Sequence, residues 1–583
     1  MKHASSSMHI DDTSRQYVTA GGERRVTRCL LLRRSYRDAN GKPRNETLAN
    51  LSALPDNAIA ALKLALKGAT LVDADSAFEV ERSVPHGNAA AAHVMAERLG
   101  LRSILGPPSK DRDIAYALIL SQAVRPGSKL STVRWWNAGD TTLAADLGMA
   151  GVGTDDVYEA MDWLLARKDT IEKKLARKHL RQGGIAMYDL SSSWVEGSCC
   201  ELAAFGYSRD GKRGRAQVEY GLLTDPVGRP IGIDLFKGNT ADAIAFKTAM
   251  DKVRKDFGLT ELVFVGDRGM ITKTRIADLR ALEGAGWVTA LKAPDIAALA
   301  AGGGPLQLSL FDEQNLAEIS HPDYPGERLV CCRNPALAES RRLKRESLLA
   351  ATEMDLEKIR ASVEAGRLKD EDKIGVRVGK VIGKHKVGKH FTWEITSGGF
   401  TFRRDHEKIA TEAKLDGIYV IRTTMTADTA DAPGVVRTYK NLKYVERDFR
   451  TIKIDDLDIR PIRHYLPGRV EAHLLICMLA AYLTWHLHQA FAPLTFTDED
   501  IPQPADPVIP AQRSLRAAVK DAVKETPDGL PLYRYRDLLE HLATLDRQII
   551  NFSGQRIEKI TTPTPVQARA FGLLGSPVPV RLR

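Results

Sequence analysis

The chain contains few cysteines, and their spacing excludes the common zinc sites. It has six among 583 residues, as the adjacent pairs Cys199–Cys200 and Cys331–Cys332 and the single residues Cys29 and Cys477. None of these separations is that of zinc-ligating cysteines. A chain of this length also has a core large enough to fold without disulfides. Reduced thiols and a cytoplasmic location are therefore expected.

The chain also lacks a long apolar run. Residues 1–12, MKHASSSMHIDD, include no apolar signal segment, and no run approaches the roughly 20 apolar residues that cross a bilayer. The most apolar stretch, Ala472–Trp485, is shorter and contains His473. The sequence therefore predicts a protein without a membrane partner.

Positive charge is in excess. Lysine and arginine number 84 against 74 aspartates and glutamates, which gives a net charge of +10. This balance favours a polyanionic partner such as nucleic acid. Cations are densest near the start of the chain, at Arg24, Arg25, Arg28, Arg33, Arg34, Arg37, Lys42 and Arg44.

The first part of the chain divides into a basic region and a helical one. Residues up to about 20 are polar and predict no regular structure. From Arg25 to Leu54, two β-like segments flank Asn40-Gly41, which predicts a hairpin. Its arginines suit either phosphate contact or a solvated surface. We predict a basic hairpin region over 1–87 and a helical, DNA-binding region over 88–182.

A different pattern begins at Gly183. Three short β-like runs are followed by alternating helical and β-like segments, which is typical of a mixed α/β sheet with helices on its faces. After Ala301–Pro305, short β-like runs and a highly charged helix or helical hairpin indicate an insertion. The predicted divisions are a core at 183–300, an insertion at 301–415, a second part of the core at 416–495, and a linker with a helical tail at 496–583.

Two aspartates follow predicted strands of this sheet. Asp189 ends the run GIAMYD, and Asp267 follows LVFV in VGDRGM. Carboxylates at strand ends face the functional crevice of α/β sheets, where a divalent cation offsets the cost of burying them. Structural roles are also open, because Asp189 can cap a turn and Asp267 can pair with Arg268. The competing acids are Asp225, which suits a turn, Asp242, which suits a helix N-terminus, and Asp234.

The segment Tyr439–His464 supplies a third carboxylate, Glu446. Read as a helix, it places Tyr439, Glu446, Arg450 and Lys453 on one face. An acid among cations suits a metal ion with phosphate beside it, although solvated helix faces show the same pattern. The adjoining buried stripe is predicted at Leu442, Val445, Phe449 and Ile452.

The three carboxylates together predict a metal site. Asp189, Asp267 and Glu446 can hold two Mg²⁺ ions about 4 Å apart, and Mn²⁺ can substitute. Such a pair of ions activates water or a 3′-hydroxyl for in-line attack on a phosphodiester. The predicted chemistry is therefore cleavage or joining of nucleic acid.

Four sequence blocks occur in a specific order. They are YDLSSSW around Asp189, GYSRDGKRGRAQVEYGLLTDPVGRPIGIDLFKGNTAD, VGDRGM around Asp267, and YKNLKYVERDFRTIKIDDLDIRPIRHY around Glu446. This combination resembles the DDE transposases of bacterial insertion sequences, in the IS-four superfamily, from about Gly183 to Ala492. The resemblance implies a ribonuclease-H-like core with a β-rich insertion between the second aspartate and the glutamate.

The resemblance also implies roles for single residues. Asp189, Asp267 and Glu446 would form the metal-binding triad. The family's Tyr-Arg-Glu-Lys signature falls on Tyr439, position 442, Glu446 and Lys453, and Tyr439 and Lys453 would contact DNA phosphate. Position 442 is leucine instead of arginine. The residues that can take over its phosphate contact are Lys443, Arg447 and Arg450.

A basic loop between two predicted strands is a further candidate for DNA contact. It would follow the DNA backbone, although a solvated turn explains the same residues equally well. The loop contains Arg209, Lys212, Arg213 and Arg215.

The implied function is that of a transposase in a bacterial cytoplasm, associated with the nucleoid. The resemblance implies a homodimer on double-stranded DNA that cleaves the terminal repeats of its element and transfers the 3′-hydroxyl into target DNA. The basic N-terminal region would recognise the repeats. Two alternatives are a DNA-binding protein that has lost catalysis and a nuclease that cuts without joining.

Overall fold

The computed structural model describes all but a few short parts of the chain. The described residues form a mixed α/β protein, as predicted. Contacts divide it into two units, of which the smaller comprises Met1–Ser83 and Gln548–Lys559 and the larger comprises Val84–Arg547 and Ile560–Arg583. The described residues are 7–69, 71, 78–504, 506–552 and 555–582.

The smaller unit contains an antiparallel sheet of three strands in the order β1-β2-β3. The turn at Asn40-Gly41, where Gly41 has a φ of 75°, joins β2 to β3 and confirms the predicted hairpin. Leu30, Leu51 and Ile59 form its small core with the first helix. The elements are β1 (Ser7–Val18), β2 (Arg24–Arg37), β3 (Pro43–Asn50), α1 (Asp56–Leu66) and β4 (Phe78–Pro85).

Strand β1 corrects the expectation of an irregular N-terminus. It pairs with β2 along its whole length, from Ser7 opposite Ser35 to Val18 opposite Arg24. Asp11 lies 2.8 Å from Arg33 and Asp12 lies 2.7 Å from Arg28, so the acids of β1 partly neutralise the arginines of β2. Residues 1–6 lie outside the described residues.

The larger unit begins with helices, as predicted for 88–182. Their buried residues, including Ala89, Ile114 and Leu164, belong to the main core. The helices are α2 (Gly87–Leu99), α3 (Leu101–Leu105), α4 (Lys110–Val124), α5 (Lys129–Ala138), α6 (Thr142–Asp146), α7 (Thr154–Leu165) and α8 (Lys168–His179).

Five strands of the main sheet follow in the order β7-β6-β5-β8-β9. Strand β6 is antiparallel to both neighbours, whereas β5, β8 and β9 are parallel. This mixed sheet with helices beside it has the ribonuclease-H-like arrangement that the resemblance implies. The elements are β5 (Gly184–Trp194), β6 (Gln217–Thr224), β7 (Pro230–Lys237), α9 (Asp242–Asp251), β8 (Leu262–Val265), α10 (Lys273–Arg280), β9 (Ala285–Ala290) and α11 (Ala293–Ala300).

One part of the predicted insertion adds strands to this sheet, and another part forms a separate hairpin. Strands β10 and β11 continue the main sheet beyond β9 through a later strand, whereas β12 and β13 form a separate hairpin. The charged stretch forms one long helix, α12, and the first turn of a second, α13, which packs against it. The elements are β10 (Leu316–Ile319), β11 (Arg328–Arg333), α12 (Pro335–Glu364), α13 (Glu371–His385), β12 (Phe391–Thr396), β13 (Gly399–Arg404) and α14 (His406–Ala413).

The chain then returns to the main sheet through β14, which pairs antiparallel with β9 and β11. Three helices follow, and the last is long and apolar enough to cross a membrane by length and composition. However, 83% of its most apolar window is buried inside the protein, where it packs against β7, α4 and α7. The elements are β14 (Ile418–Thr423), α15 (Ala432–Lys440), α16 (Leu442–Arg450) and α17 (Pro467–Ala490).

The C-terminal region contains more structure than the single predicted helix. Three helices and a hairpin form there, and β15 of the hairpin joins β4 in a three-stranded sheet. A partner more than 450 positions earlier in the chain leaves no local sequence signal. The elements are α18 (Leu515–Val523), α19 (Tyr535–Ala543), β15 (Asp546–Phe552), β16 (Gln555–Ile560) and α20 (Pro565–Leu573).

Candidate active site

Asp189 and Asp267 occupy equivalent positions on two neighbouring parallel strands. The pairing of β5 with β8 runs from Gly184 opposite Leu262 to Met187 opposite Val265. Each aspartate lies two positions beyond the last residue of this β5–β8 pairing: Asp189 is still within β5, where it pairs with Leu222 of β6, and Asp267 lies after the end of β8. Because neighbouring strands lie about 4.8 Å apart, this register brings both aspartates to one edge of the β5–β8 pair.

The surroundings of Asp189 are dominated by burial and negative charge. Its pKa is raised to about 7, first by burial and then by the charges of Glu446 and Asp267. The backbone N–H of Leu190 donates a hydrogen bond of 2.8 Å to the Asp189 carboxylate. This bond favours the charged form and lowers the pKa, so it opposes the other effects. Glu446 and Asp267 therefore both lie within electrostatic reach of Asp189.

Asp267 begins a tight turn and is exposed. The backbone N–H of Arg268 donates to its carboxylate at 2.7 Å, so the ion pair proposed as an alternative is replaced by a main-chain contact. A Cβ at Gly269 would lie 3.4 Å from an oxygen of Asp242 and 3.8 Å from one of Asp267. Both distances are ordinary van der Waals contacts, and they show that the carboxylates of Asp242 and Asp267 both lie beside Gly269. Asp242 is therefore closer to the site than its sequence position suggests.

Glu446 is exposed on α16, whose opposite face is buried. Val445 and Phe449 belong to the core, and α16 packs against β5, the strand of Asp189. The predicted apolar stripe is therefore confirmed at these positions and at Ile452, while Leu442 is only half-buried. Packing of this face directs Glu446 away from the core.

Tyr439 lies beside the three acids on the preceding helix, α15. Its pKa is raised to about 12, chiefly by burial and then by Asp267, while Glu446 and Asp189 act in the same direction. The predicted single helix is divided at Asn441, which ends α15 and precedes α16. The hydroxyl of Tyr439 remains protonated at neutral pH and can donate a hydrogen bond to an anion.

The donor chemistry of the three acids fits a divalent cation. Carboxylate oxygens are the ligands that Mg²⁺ prefers, and a cation would relieve the mutual repulsion that acts on Asp189. In the described part of the chain, no three His, Cys, Asp or Glu side chains converge into a complete ligand cluster. Asp267 and Glu446 are exposed and can change rotamer to approach an ion.

Lys453 occupies a different environment from the other signature residues. It lies in a π-helical turn, Thr451–Asp455, and its ammonium is 2.7 Å from a carboxylate oxygen of Asp210. The guanidinium of Arg460 is 2.8 Å from the same oxygen. Sequence reasoning missed Asp210 and Arg460, and no spacing signal connects residues so distant in the chain.

In the loop predicted to contact DNA, the first cation is held in ion pairs and the later cations are exposed. Arg209 lies 2.6 Å from Asp242 and 3.3 Å from Glu219, so its guanidinium is already engaged. The DNA contacts predicted for this loop and for α16 are tested by no observation here and stay predictions. The exposed candidates without an ion pair among the described residues are Lys212, Arg213, Arg215, Lys443 and Arg450.

A cleft of about 990 Å³ connects the site with the inserted helices. Asp267, Arg268 and Tyr439 form part of its lining, and most of the rest comes from α11, α12, α14 and the segment 386–390. Two of its acids are already paired, Asp416 with Arg345 and Glu412 with Lys389. The cleft cations that lack an ion-pair partner among the described residues are Arg268, Arg341, Lys344 and Lys386.

Part of the larger unit is similar to a known protein family. Residues 191–483 match the transposase DDE domain family, a range that includes Asp267 and Glu446 and begins two positions after Asp189. Among solved structures, the chain aligns with piggyBac transposase in its synaptic complex with hairpin DNA. That alignment has a TM-score of 0.33 and 8% identity, over 78% of this chain and 76% of the other. Curated proteins provide no match.

Because the DDE domain match spans half of the chain, the protein belongs to the DDE transposases. Enzymes of this class bind DNA, cleave it and transfer strands during transposition, and they generally use divalent metal ions. Within the class, residues 18–76 match the N-terminal domain of IS1634 family transposases. The predicted function and enzyme class are therefore confirmed, whereas placement in the IS-four superfamily stays a prediction.

Proposed function

We propose that the protein cleaves DNA at the terminal repeats of its own insertion sequence and joins the 3′-hydroxyl to target DNA. Asp189, Asp267 and Glu446 are the metal-binding triad in this proposal. The observation that carries it is the parallel register of β5 and β8, which places two aspartates at one edge of that strand pair. The charge of Glu446 raises the pKa of Asp189, which supports Glu446 as the third acid of the triad.

In this proposal the three carboxylates bind Mg²⁺, which Mn²⁺ can replace. When bound, the metal ions would activate the attacking hydroxyl and stabilise the leaving oxygen. Asp189 lies on a central strand of the sheet, which fixes its position, whereas Asp267 and Glu446 can adjust. Tyr439 donates a hydrogen bond to DNA phosphate close to these acids.

One set of DNA contacts comes from exposed cations that have no ion pair to break. Lys443 and Arg450 are exposed on the helix that carries Glu446 and can replace the arginine that the signature lacks at Leu442. The exposed end of the 209–215 loop adds three more cations. The protein acts as a homodimer on paired element ends, in the bacterial cytoplasm at the nucleoid, and IS-four superfamily membership is part of this proposal.

The proposal is tested with duplexes that carry both ends of the element, a target plasmid and Mg²⁺. We expect cleaved ends and covalently joined target products, and neither product when EDTA replaces Mg²⁺. Cleavage without joined products would favour the nuclease alternative. Specific binding of the ends without cleavage would favour the DNA-binding alternative.

The cleft beside the site yields a separate prediction for Lys344. We expect Lys344→Glu to weaken DNA binding several-fold at low salt, because the cleft loses an unpaired cation and gains an acid. The slope of log K against log salt concentration is expected to fall in magnitude by about 1. Fluorescence anisotropy of a labelled element end, measured over a salt series, provides both quantities.

Lys380→Glu is the matched control for this measurement. Lys380 is an exposed lysine of α13 that does not line the cleft, and its replacement changes the net charge by the same amount. Equal weakening by both variants would show that only overall charge matters and would contradict a DNA path through the cleft.

A further inference from the structure

The ammonium group of Lys453 is buried. Its side chain is 8% exposed and that of its partner Asp210 is 2% exposed. Burial lowers the pKa of Lys453, and the bond to Asp210 opposes that effect. A lysine in this position cannot reach a DNA phosphate unless the carboxylate of Asp210 leaves.

One acid faces two cations at this position. Lys453 and Arg460 both approach the same oxygen of Asp210, at 2.7 and 2.8 Å. The second oxygen of Asp210 is buried and has no hydrogen-bond partner among the described residues. One oxygen of the carboxylate therefore accepts both bonds while the other accepts none, and two positive charges face a single negative charge.

Asp210 belongs to a loop that otherwise carries cations. Arg209 next to it is tethered to Asp242 and Glu219, whereas Arg213 and Arg215 are exposed. These exposed arginines follow Asp210 by three and five positions, so they can attract a DNA phosphate to the loop that carries Asp210. The several anionic oxygens of a phosphate suit two cations better than a single carboxylate oxygen does.

We propose that Lys453 and Arg460 form a phosphate-binding site that the carboxylate of Asp210 occupies until a DNA phosphate displaces it. This inference rests on the proposed function, because the ligand is the DNA backbone beside the catalytic helix. Arg460 becomes a second phosphate ligand, and Asp210 an internal competitor. DNA binding then includes the cost of displacing Asp210.

The first test is Asp210→Asn, with binding of a labelled element end measured in EDTA so that no cleavage occurs. We expect binding to become about five- to tenfold tighter, because the competing charge is gone. The gain must vanish when Lys453→Gln and Arg460→Gln are also present, since the site then has no cation to release. A folded Asp210→Asn protein that binds no more tightly than the wild type would overturn the proposal.

Asp210→Asn also leaves two cations without a counter-charge, so the variant is expected to melt at a lower temperature than the wild type. Added DNA must raise its melting temperature more than that of the wild type, because phosphate restores the missing charge. An equal rise in both proteins would indicate that Asp210 has only a structural role.

If Asp210→Asn does not fold, Arg460→Gln provides an independent test of the phosphate-binding site. We expect several-fold weaker DNA binding and a salt slope smaller in magnitude by about 1. Arg463→Gln is the control, because Arg463 is an exposed neighbour paired with Glu196. If Arg460→Gln binds as the wild type does, the phosphate site is wrong. Because these assays contain no metal, failure of cleavage would count against the proposed triad and not against this inference.

Discussion

Asp267→Asn and Glu446→Gln are each expected to lower the rate of end cleavage by about a thousandfold or more, while DNA binding is largely retained. A thousandfold loss corresponds to about 4 kcal/mol of transition-state stabilisation. Both substitutions keep the size of the side chain and remove the negative charge that binds the metal ion. Single-turnover cleavage of a labelled element end in Mg²⁺ measures the rate, and anisotropy in EDTA measures binding.

Asp256→Asn is the matched control for Asp267→Asn. Asp256 is exposed and lies shortly before β8, whereas Asp267 lies shortly after it. The control is expected to cut at the wild-type rate. Cleavage by Asp267→Asn or Glu446→Gln at that same rate would remove the residue concerned from the triad.

The positions of Asp189 and Asp267 are predictable because both follow apolar β-like runs. Such runs form central strands of a buried sheet, and parallel strands bring their ends to the same edge. The equal offset of two residues past Met187 and Val265 is not predictable, because it depends on a pairing register that only packing decides. The sequence therefore predicts which acids form the candidate site, and the structure adds how Asp189 and Asp267 are aligned.

The Tyr439–His464 segment shows why helical periodicity alone misplaces a side chain. Position 453 lies seven residues after Glu446, so a regular α-helix puts the two on one face. The chain instead widens into a π-helical turn at Thr451–Asp455, and Lys453 turns toward the buried carboxylate of Asp210. Asp210 lies 243 positions earlier, and no local pattern predicts that contact.

The extension of the sheet by the insertion depends on a buried acid, Glu327. Its carboxylate accepts two bonds from Arg422 of β14, at 2.5 and 2.6 Å, and one from the indole of Trp287 of β9, at 3.2 Å. Arg280 of α10 donates to it as well. Glu327 precedes β11, so a single side chain connects the core strand β9 with two strands added beyond it.

Glu327→Gln is therefore expected to lower the free energy of opening of this part of the sheet by about 3–5 kcal/mol, because Arg422 stays buried without a counter-charge. The amide keeps the shape of the side chain, so any loss of stability results from the missing charge and not from a cavity. Hydrogen exchange measures it, as faster exchange of peptides that contain β11 and β14 while α4 is unchanged. Glu313→Gln, at an exposed position before β10, is the control. Unchanged protection of β11 and β14 in Glu327→Gln would mean that apolar packing around Val330 and Ile421, and not this ion pair, attaches the added strands to the core.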